Sequence, residues 1–441
     1  MDGSEKKPEQ EIELLWTRVQ RLGMSRRDFM LLLAAGGTAS VLAACGGEEP
    51  TATAVAPTAM VATEAPPTEG APTEEPTAEA DAQPEPERLQ AKALPEAFFI
   101  LHGTNAEMRW ERMADQAYQT DSALFFIRNH AESPLLDPAE WRLQVTGNAV
   151  ESPLELSYDD LLQMPAQTVT RFIECAGNAR GLFDVLLGNP AEGTQWKTGA
   201  FGIAAWTGVR LADILERAGL MDSAVSVMAA GLDSAGVAKP MSIEKALQDD
   251  TLVVYAMNGG PLPYDHGFPA RLLVPGWAGI YNVKWLGSLE VADEQLYSKW
   301  NTTSYVLIGP DFEDPEGPPE GEPFETQTMK STVGLPWEAS LQAGEQRIFG
   351  YAWSPFGEIT QVEVSLDEGQ TYQPAELVGP NVAGAGTRWE YTLDAQPGLT
   401  SITTRATDSE GNVQWPLAEQ VWNQLGYQWG AAIPHPVTVA G

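Results

Sequence analysis

The chain has 441 residues and is 43% hydrophobic, enough to build two or three domains with cores of their own. Its 61 Asp and Glu against 26 Lys and Arg leave a formal net charge of −35. That balance excludes the basic footprint nucleic-acid phosphates require and favours a basic protein partner.

Residues 1–45 read as an address rather than as structure. Ser25, Arg26, Arg27, Asp28, Phe29 and Met30 form a twin-arginine signal, a route that exports proteins already folded around a cofactor. The moderately apolar run at 31–44 is too short and too rich in Ala and Gly to span a bilayer comfortably. Leu42, Ala43, Ala44 and Cys45 resemble a bacterial lipobox, which makes Cys45 the acylated first residue of an extracytoplasmic protein tethered to the membrane. Met24 is an alternative start, because the residues before it form an unusually long preface.

Residues 46–93 are dominated by Pro, Thr, Ala and Glu. Such a stretch cannot offset its ordering entropy by burial, and its acidic residues and prolines extend it as a disordered spacer.

Residues 94–325 show mixed punctuation, with a strand-like run at 141–145 and a helical one at 211–218, which predicts an α+β domain. Residues 277–286 read as a buried strand or loop feeding a site, and 310–323, dense in Pro, Glu and Gly, as a linker. Residues 326–441 change to short strands, predicted at 346–353, 359–365, 389–393 and 401–407, with alternation clearest from Ile359 to Val364. Asp367, Glu368 and Gly369, and Asp408 to Asn412, supply turn chemistry for an immunoglobulin-like β-sandwich.

The stretch from Arg171 to Arg180 places Cys175 in a glycine-containing turn directly after a strand-like run. With Cys45 modified, Cys175 has no partner for a structural disulfide, and free cysteine often packs as a small buried hydrophobe. Its company points elsewhere. Glu174, Cys175, Ala176, Gly177 and Asn178 followed by Arg180 resemble the signature of the sulfite oxidase family of molybdopterin enzymes, and further separated motifs follow in that family's order. Gly350 to Ser354, and Arg405 to Asp408 with Gly411 and Asn412, are similar to the dimerisation domain of the same family.

The resemblance implies a molybdenum–molybdopterin cofactor with the Cys175 thiolate as the single protein ligand to the metal, a soft donor suited to a redox-cycling ion. It assigns Phe126, Arg128, Asn129 and His130 to the pterin, with Arg128 also in the substrate pocket. Asp233, His266, Arg271 and Lys284 become further pterin and phosphate contacts, and Arg180, Trp196 and Tyr305 line the substrate pocket. Planar multi-donor cations match oxyanion geometry, and a strongly acidic chain needs a local positive pocket to bind dianionic sulfite.

The implied reaction is oxygen-atom transfer that oxidises sulfite to sulfate, by a homodimer passing electrons to an external c-type cytochrome. No Cys-x-x-Cys-His haem motif is present in the chain. Two departures bear on the substrate: Ala179 replaces the first of two adjacent arginines, and Leu425 falls where animal relatives place another pocket arginine. The alternatives are the same cofactor acting on another sulfur species or reducing a sulfoxide, and a noncatalytic ligand-binding lipoprotein.

Overall fold

The computed structural model describes residues 92–440; the export signal, the lipobox and nearly all of the spacer lie outside the described residues. Within them, 23 strands dominate over five short α-helices, so the expected α+β composition is realised with far more strand than helix. None of the described helices is long and apolar enough to cross a membrane.

The first domain opens with a hairpin, β1 (Phe99–His102) and β2 (Asn105–Met108). It continues through β3 (Arg142–Gly147), β4 (Leu154–Ser157), α1 (Tyr158–Gln163), β5 (Gln167–Glu174), α2 (Arg180–Leu187), β6 (Phe201–Arg210) and α3 (Leu211–Arg217). Next come β7 (Ser226–Gly231), β8 (Ala238–Ser242), α4 (Ile243–Ala246), β9 (Leu252–Met257), β10 (Gly260–Pro261), β11 (Arg271–Leu273), β12 (Leu286–Ala292) and α5 (Lys299–Thr302). One sheet runs β4-β3-β12-β7-β8 and the other β10-β9-β6-β5, with β11 also on β9.

Local chemistry explains these boundaries. Ser157 caps α1 through a reciprocal box with Asp160, and α3 buries Leu211, Ile214 and Leu215, three residues of one helical face. The stretch at 277–286 is not a strand: a 3₁₀ turn at Gly279–Tyr281 precedes β12. The 310–323 linker is irregular until β14 (Glu322–Pro323) pairs with β13 (Val306–Leu307).

The second domain has two sheets. β15 (Lys330–Val333), β17 (Gly344–Trp353), β20 (Glu376–Val382) and β21 (Gly386–Ala395) run β15-β17-β21-β20. β16 (Ala339–Gln342), β18 (Ile359–Ser365), β19 (Gln373–Pro374), β22 (Ser401–Asp408) and β23 (Ile433–Ala440) run β16-β23-β22-β18-β19. Val333, Ile348, Trp389 and Leu393 of one meet Val362, Val364, Ile402 and Val437 of the other in a single core.

Strict alternation in β18 does not hold. A bulge between Ile359 and Gln361 against β22 exposes Thr360 and Gln361 together, because one extra residue resets which side chains face inward.

A separate core joins the domains. Tyr351 and Trp353 of β17 pack with Phe172, Phe201, Ile203 and Cys175 of the first domain. The indole of Trp353 stacks on Phe201 with centroids 4.0 Å apart.

Candidate active site

Cys175 follows the last residue of β5. Its N–H donates to the Ala200 carbonyl at 2.9 Å and its carbonyl accepts from the Asn178 N–H at 3.0 Å, which closes the turn. Gly177 leaves room for the Arg180 side chain: a Cβ there would lie 2.4 Å from a guanidinium nitrogen of Arg180. Ala179, with φ of 79°, carries the chain through the left-handed region into α2.

The thiol borders a cavity of about 680 Å³, its open mouth included. Ten expected residues line it with Cys175 among them: Phe126, Arg128, Asn129, His130, Asp233, His266, Arg271, Lys284 and Tyr305 complete the group. They arrive from segments far apart in sequence. Ile127 pairs with Ala106 through two 2.9 Å backbone bonds and sets the 126–130 segment against β2. Lys284 donates to Asn129 Oδ1 and, at 2.7 Å, to the Asp265 carbonyl. Asn129 in turn donates Nδ2–H to Ser133 Oγ at 2.9 Å.

Arg271 is buried at the cavity wall and donates to the carbonyls of His266 at 3.1 Å, Asn282 at 2.9 Å and Leu272 at 3.4 Å. Burial alone pulls its guanidinium down to about 9. Burial, reinforced by Arg271, drives Lys284 well below its ordinary value. Cations held by carbonyl dipoles in a desolvated wall are a receptor for an anionic group, so the donor set fits a phosphate-bearing pterin.

At the Cys175 end, Arg128 Nη2 donates to the Tyr305 hydroxyl at 3.5 Å, and that hydroxyl lies 2.8 Å from His130 Nε2. Burial and the charges of Arg128, Lys284 and Lys299 hold His130 down to about 2, and burial raises Tyr305. With the imidazole neutral and the phenol protonated, one hydrogen bond joins the Tyr305 hydroxyl to His130 Nε2. Tyr305 and Trp285 both hold positive φ, 59° and 50°, and non-glycine residues in that region concentrate where surrounding structure imposes a geometry.

Arg180 and Trp196 do not line this cavity. Arg180 donates Nε–H to the Leu425 carbonyl at 2.8 Å and Nη1–H to the Thr194 carbonyl at 3.0 Å, with its guanidinium over the Tyr427 ring at 5.1 Å. Trp196 is fully buried, edge-to-face with His102 at 5.2 Å. Leu425 is also absent from the lining; its side chain packs against the first domain's apolar cluster.

Further contributors had no role assigned from the sequence. Trp285 and Asn282 line the cavity, and Tyr427 stacks on Tyr305 with centroids 5.3 Å apart and planes 9° from parallel. Trp285 and Asn282 fall in the 277–286 stretch read as feeding a site, and Tyr427 lies two residues from Leu425, so position was their only signal.

The model of the oxidoreductase molybdopterin binding domain matches residues 130–300, and that of the Mo-co oxidoreductase dimerisation domain matches 328–431. Mouse mitochondrial sulfite oxidase is 37% identical over 339 residues, covering 73% of this chain and 62% of the relative. The chain thus spans about three fifths of that relative's length. Chicken sulfite oxidase is 34% identical, with 73% of each chain covered. Among solved structures, the sulfane dehydrogenase SoxCD of Paracoccus pantotrophus matches with TM-score 0.65 and 29% identity, covering 74% of this chain and 82% of that one.

The fold and site define a molybdopterin-binding oxidoreductase. The chain belongs to the sulfite oxidase family, whose cofactor is molybdopterin.

Proposed function

We propose that the chain oxidises sulfite to sulfate by oxygen-atom transfer. The observation that carries this is the convergence of Cys175, Arg128, Tyr305, Arg271 and Lys284 in the lining of one cavity, within a strongly acidic chain. Cys175 would hold the molybdenum; Asn129, Asp233, His266, Arg271 and Lys284 would hold the pterin and its phosphate. Among the described residues no cluster of His, Cys, Asp and Glu could hold a metal unaided, in keeping with one protein thiolate and a cofactor supplying the other donors. The bound cofactor supplies the two-electron oxygen-transfer chemistry.

The protein's own part is positioning and charge. Arg128 presents a guanidinium to an oxyanion. Tyr305 touches Arg128 from one side and is itself held by its hydrogen bond with His130, while Tyr427 backs the Tyr305 ring and excludes water.

A second substrate class, another sulfur species or a sulfoxide, is favoured by one feature. Arg180 is committed to backbone carbonyls, so the Cys175 end has fewer free cations than a dianion would recruit. Metal analysis of the purified protein, followed by steady-state assays with sulfite, thiosulfate and sulfoxides against ferricytochrome c or reduced viologen, distinguishes these. Turnover of sulfite with cytochrome reduction is the expected result.

The remaining assignments extend this proposal. The facing sheets over one core support an immunoglobulin-like dimerisation domain spanning 326–441, with a catalytic domain over 94–325 and two chains per molecule. Twin-arginine export and a lipid anchor at Cys45 rest on the sequence features at 25–45, and an external c-type cytochrome as acceptor rests on the family resemblance. Light scattering and fractionation of a Cys45→Ser variant test dimer and anchor.

A further inference from the structure

Glu174, the last residue of β5, directly precedes Cys175. Its carboxylate is completely buried, and three donors converge on it. The Lys330 ammonium lies 2.9 Å from Oε1, Asn178 Nδ2 donates to the same oxygen at 2.9 Å, and the Trp353 indole N–H donates to Oε2 at 2.9 Å. Asn178 belongs to the cysteine turn itself. Lys330 in β15 and Trp353 at the end of β17 belong to the second domain, and Gln327 donates to the Glu174 carbonyl at 2.8 Å.

None of these partners lines the cavity. An ion pair removed from water is a poor source of stability, and it persists only where its remaining hydrogen-bonding capacity is met. Here it is met: Oε1 takes two donors, Oε2 takes one, and Lys330 also donates to Thr328 Oγ1 at 2.8 Å. A carboxylate so held has one orientation, one peptide link from the thiol. On the other side, a Cβ added at Gly279 would meet the Glu174 carbonyl oxygen at 2.6 Å and Cys175 Cα at 3.3 Å. The backbone of Cys175 is therefore wedged between the 3₁₀ turn of its own domain and a charged grip from the other.

We propose that Lys330 and Trp353 are positioning residues through which the second domain, acting on Glu174, fixes the Cys175 thiol in the cavity wall. The second domain then has a task inside the first domain's site, separate from any pairing of chains. This rests on Cys175 as the cofactor-facing thiol, which molybdenum content of the parent protein decides independently of the comparison that follows.

The full chain, purified with its cofactor, is compared with Trp353→Phe and Trp389→Phe. Both replace a buried indole of the second domain with a smaller ring, but Trp353 serves Glu174 whereas Trp389 Nε1 has no hydrogen-bond partner among the described residues. Iodoacetamide alkylation of Cys175 is followed by peptide mass spectrometry, together with molybdenum retained through gel filtration, melting temperature, kcat and KM. Loss of one hydrogen bond to a charged acceptor should speed Cys175 alkylation by about tenfold in Trp353→Phe, with less molybdenum retained and kcat falling while KM holds. Trp389→Phe should react at the parent rate even when its melting temperature falls as far.

A parent-like alkylation rate in Trp353→Phe, or an equal rise in Trp389→Phe, overturns the proposal. If Trp353→Phe does not fold, Glu174→Gln addresses the same contacts with the shape retained. A faster reaction there supports the grip, and a parent-like rate in the folded variant overturns it.

Discussion

Arg180 is tied to Leu425 by a 2.8 Å bond from its Nε–H to the Leu425 carbonyl, so what residue 425 gives this region is a backbone oxygen. Its side chain packs on the apolar cluster of the first domain and does not reach the cavity lining. The resemblance places Leu425 where animal relatives have a pocket arginine, which implies that an arginine there would add a pocket cation. The geometry predicts the opposite: Leu425→Arg leaves KM for sulfite unchanged and lowers the melting temperature by forcing a charge against apolar neighbours. Steady-state kinetics beside a thermal melt check both halves; a lower KM would show that the new guanidinium does enter the pocket.

Cys175→Ser should give a folded chain, because the turn around it is held by the Ala200 and Asn178 backbone bonds and by Glu174 rather than by sulfur. Pterin should remain bound through contacts spread over several segments, while oxygen transfer is abolished as a soft thiolate gives way to a hard hydroxyl. Pterin fluorescence after release, metal analysis and turnover measure the three separately. Wild-type turnover in this variant would remove Cys175 from the role of ligand.

The motif residues were legible because each combines an unusual residue type with a recognisable neighbourhood: Cys175 in its turn, and Arg128, Asn129 and His130 together. What the motif could not convey was direction. Arg180 follows Cys175 by five residues, yet beyond Ala179 in the left-handed region its guanidinium packs on Gly177 and donates to the Leu425 and Thr194 carbonyls. The grip on Glu174 was equally invisible, because Trp353 is 179 residues away in sequence and nothing local marks the pair. The even alternation from Ile359 to Val364 likewise concealed a bulge that only the register against β22 reveals.

Tyr305→Phe removes the oxygen that accepts from Arg128 and is hydrogen-bonded to His130. The ring stack with Tyr427 survives, so the fold should be little changed. Arg128 loses a long 3.5 Å contact while its bond to the Asn129 carbonyl remains, so kcat/KM for sulfite should fall by roughly threefold, the lower end of what one hydrogen bond is worth. A folded variant with parent kcat/KM would show that Arg128 is oriented by its other contacts alone.

His435 gives a pH dependence that can be followed away from the cavity. Burial holds its imidazole down to about 4 from 6.5, only partly opposed by its 2.8 Å bond to the Pro336 carbonyl. The unfolded chain therefore binds this proton first as pH falls, so the stability is fully present above about pH 6.5 and is lost as pH drops toward about 4. At about 1.4 kcal/mol per unit the loss is about 3 kcal/mol. Denaturant unfolding at several pH values should show it, and His435→Gln should flatten that part of the curve. An unchanged slope in the variant would mean that other buried groups account for the acid sensitivity.

Arg271→Met separates the two consequences of burying a cation. In the cofactor-free chain the guanidinium is desolvated and offset by carbonyls and by the Trp206 ring 5.3 Å away, and burial pulls it down to about 9. Replacing such a group with an apolar side chain of similar length removes a desolvation cost and is often neutral or stabilising by about 1–4 kcal/mol. The cofactor-free variant should therefore melt at or above the temperature of its parent. The loaded protein should change in the other direction, because the phosphate loses its fixed counter-charge and Lys284 is left as the nearer cation. Molybdenum and pterin content should fall together, and the rise in melting temperature that loading gives the parent should shrink. A variant that melts lower without cofactor yet keeps full molybdenum would make Arg271 a structural residue of the wall and remove it from the phosphate site.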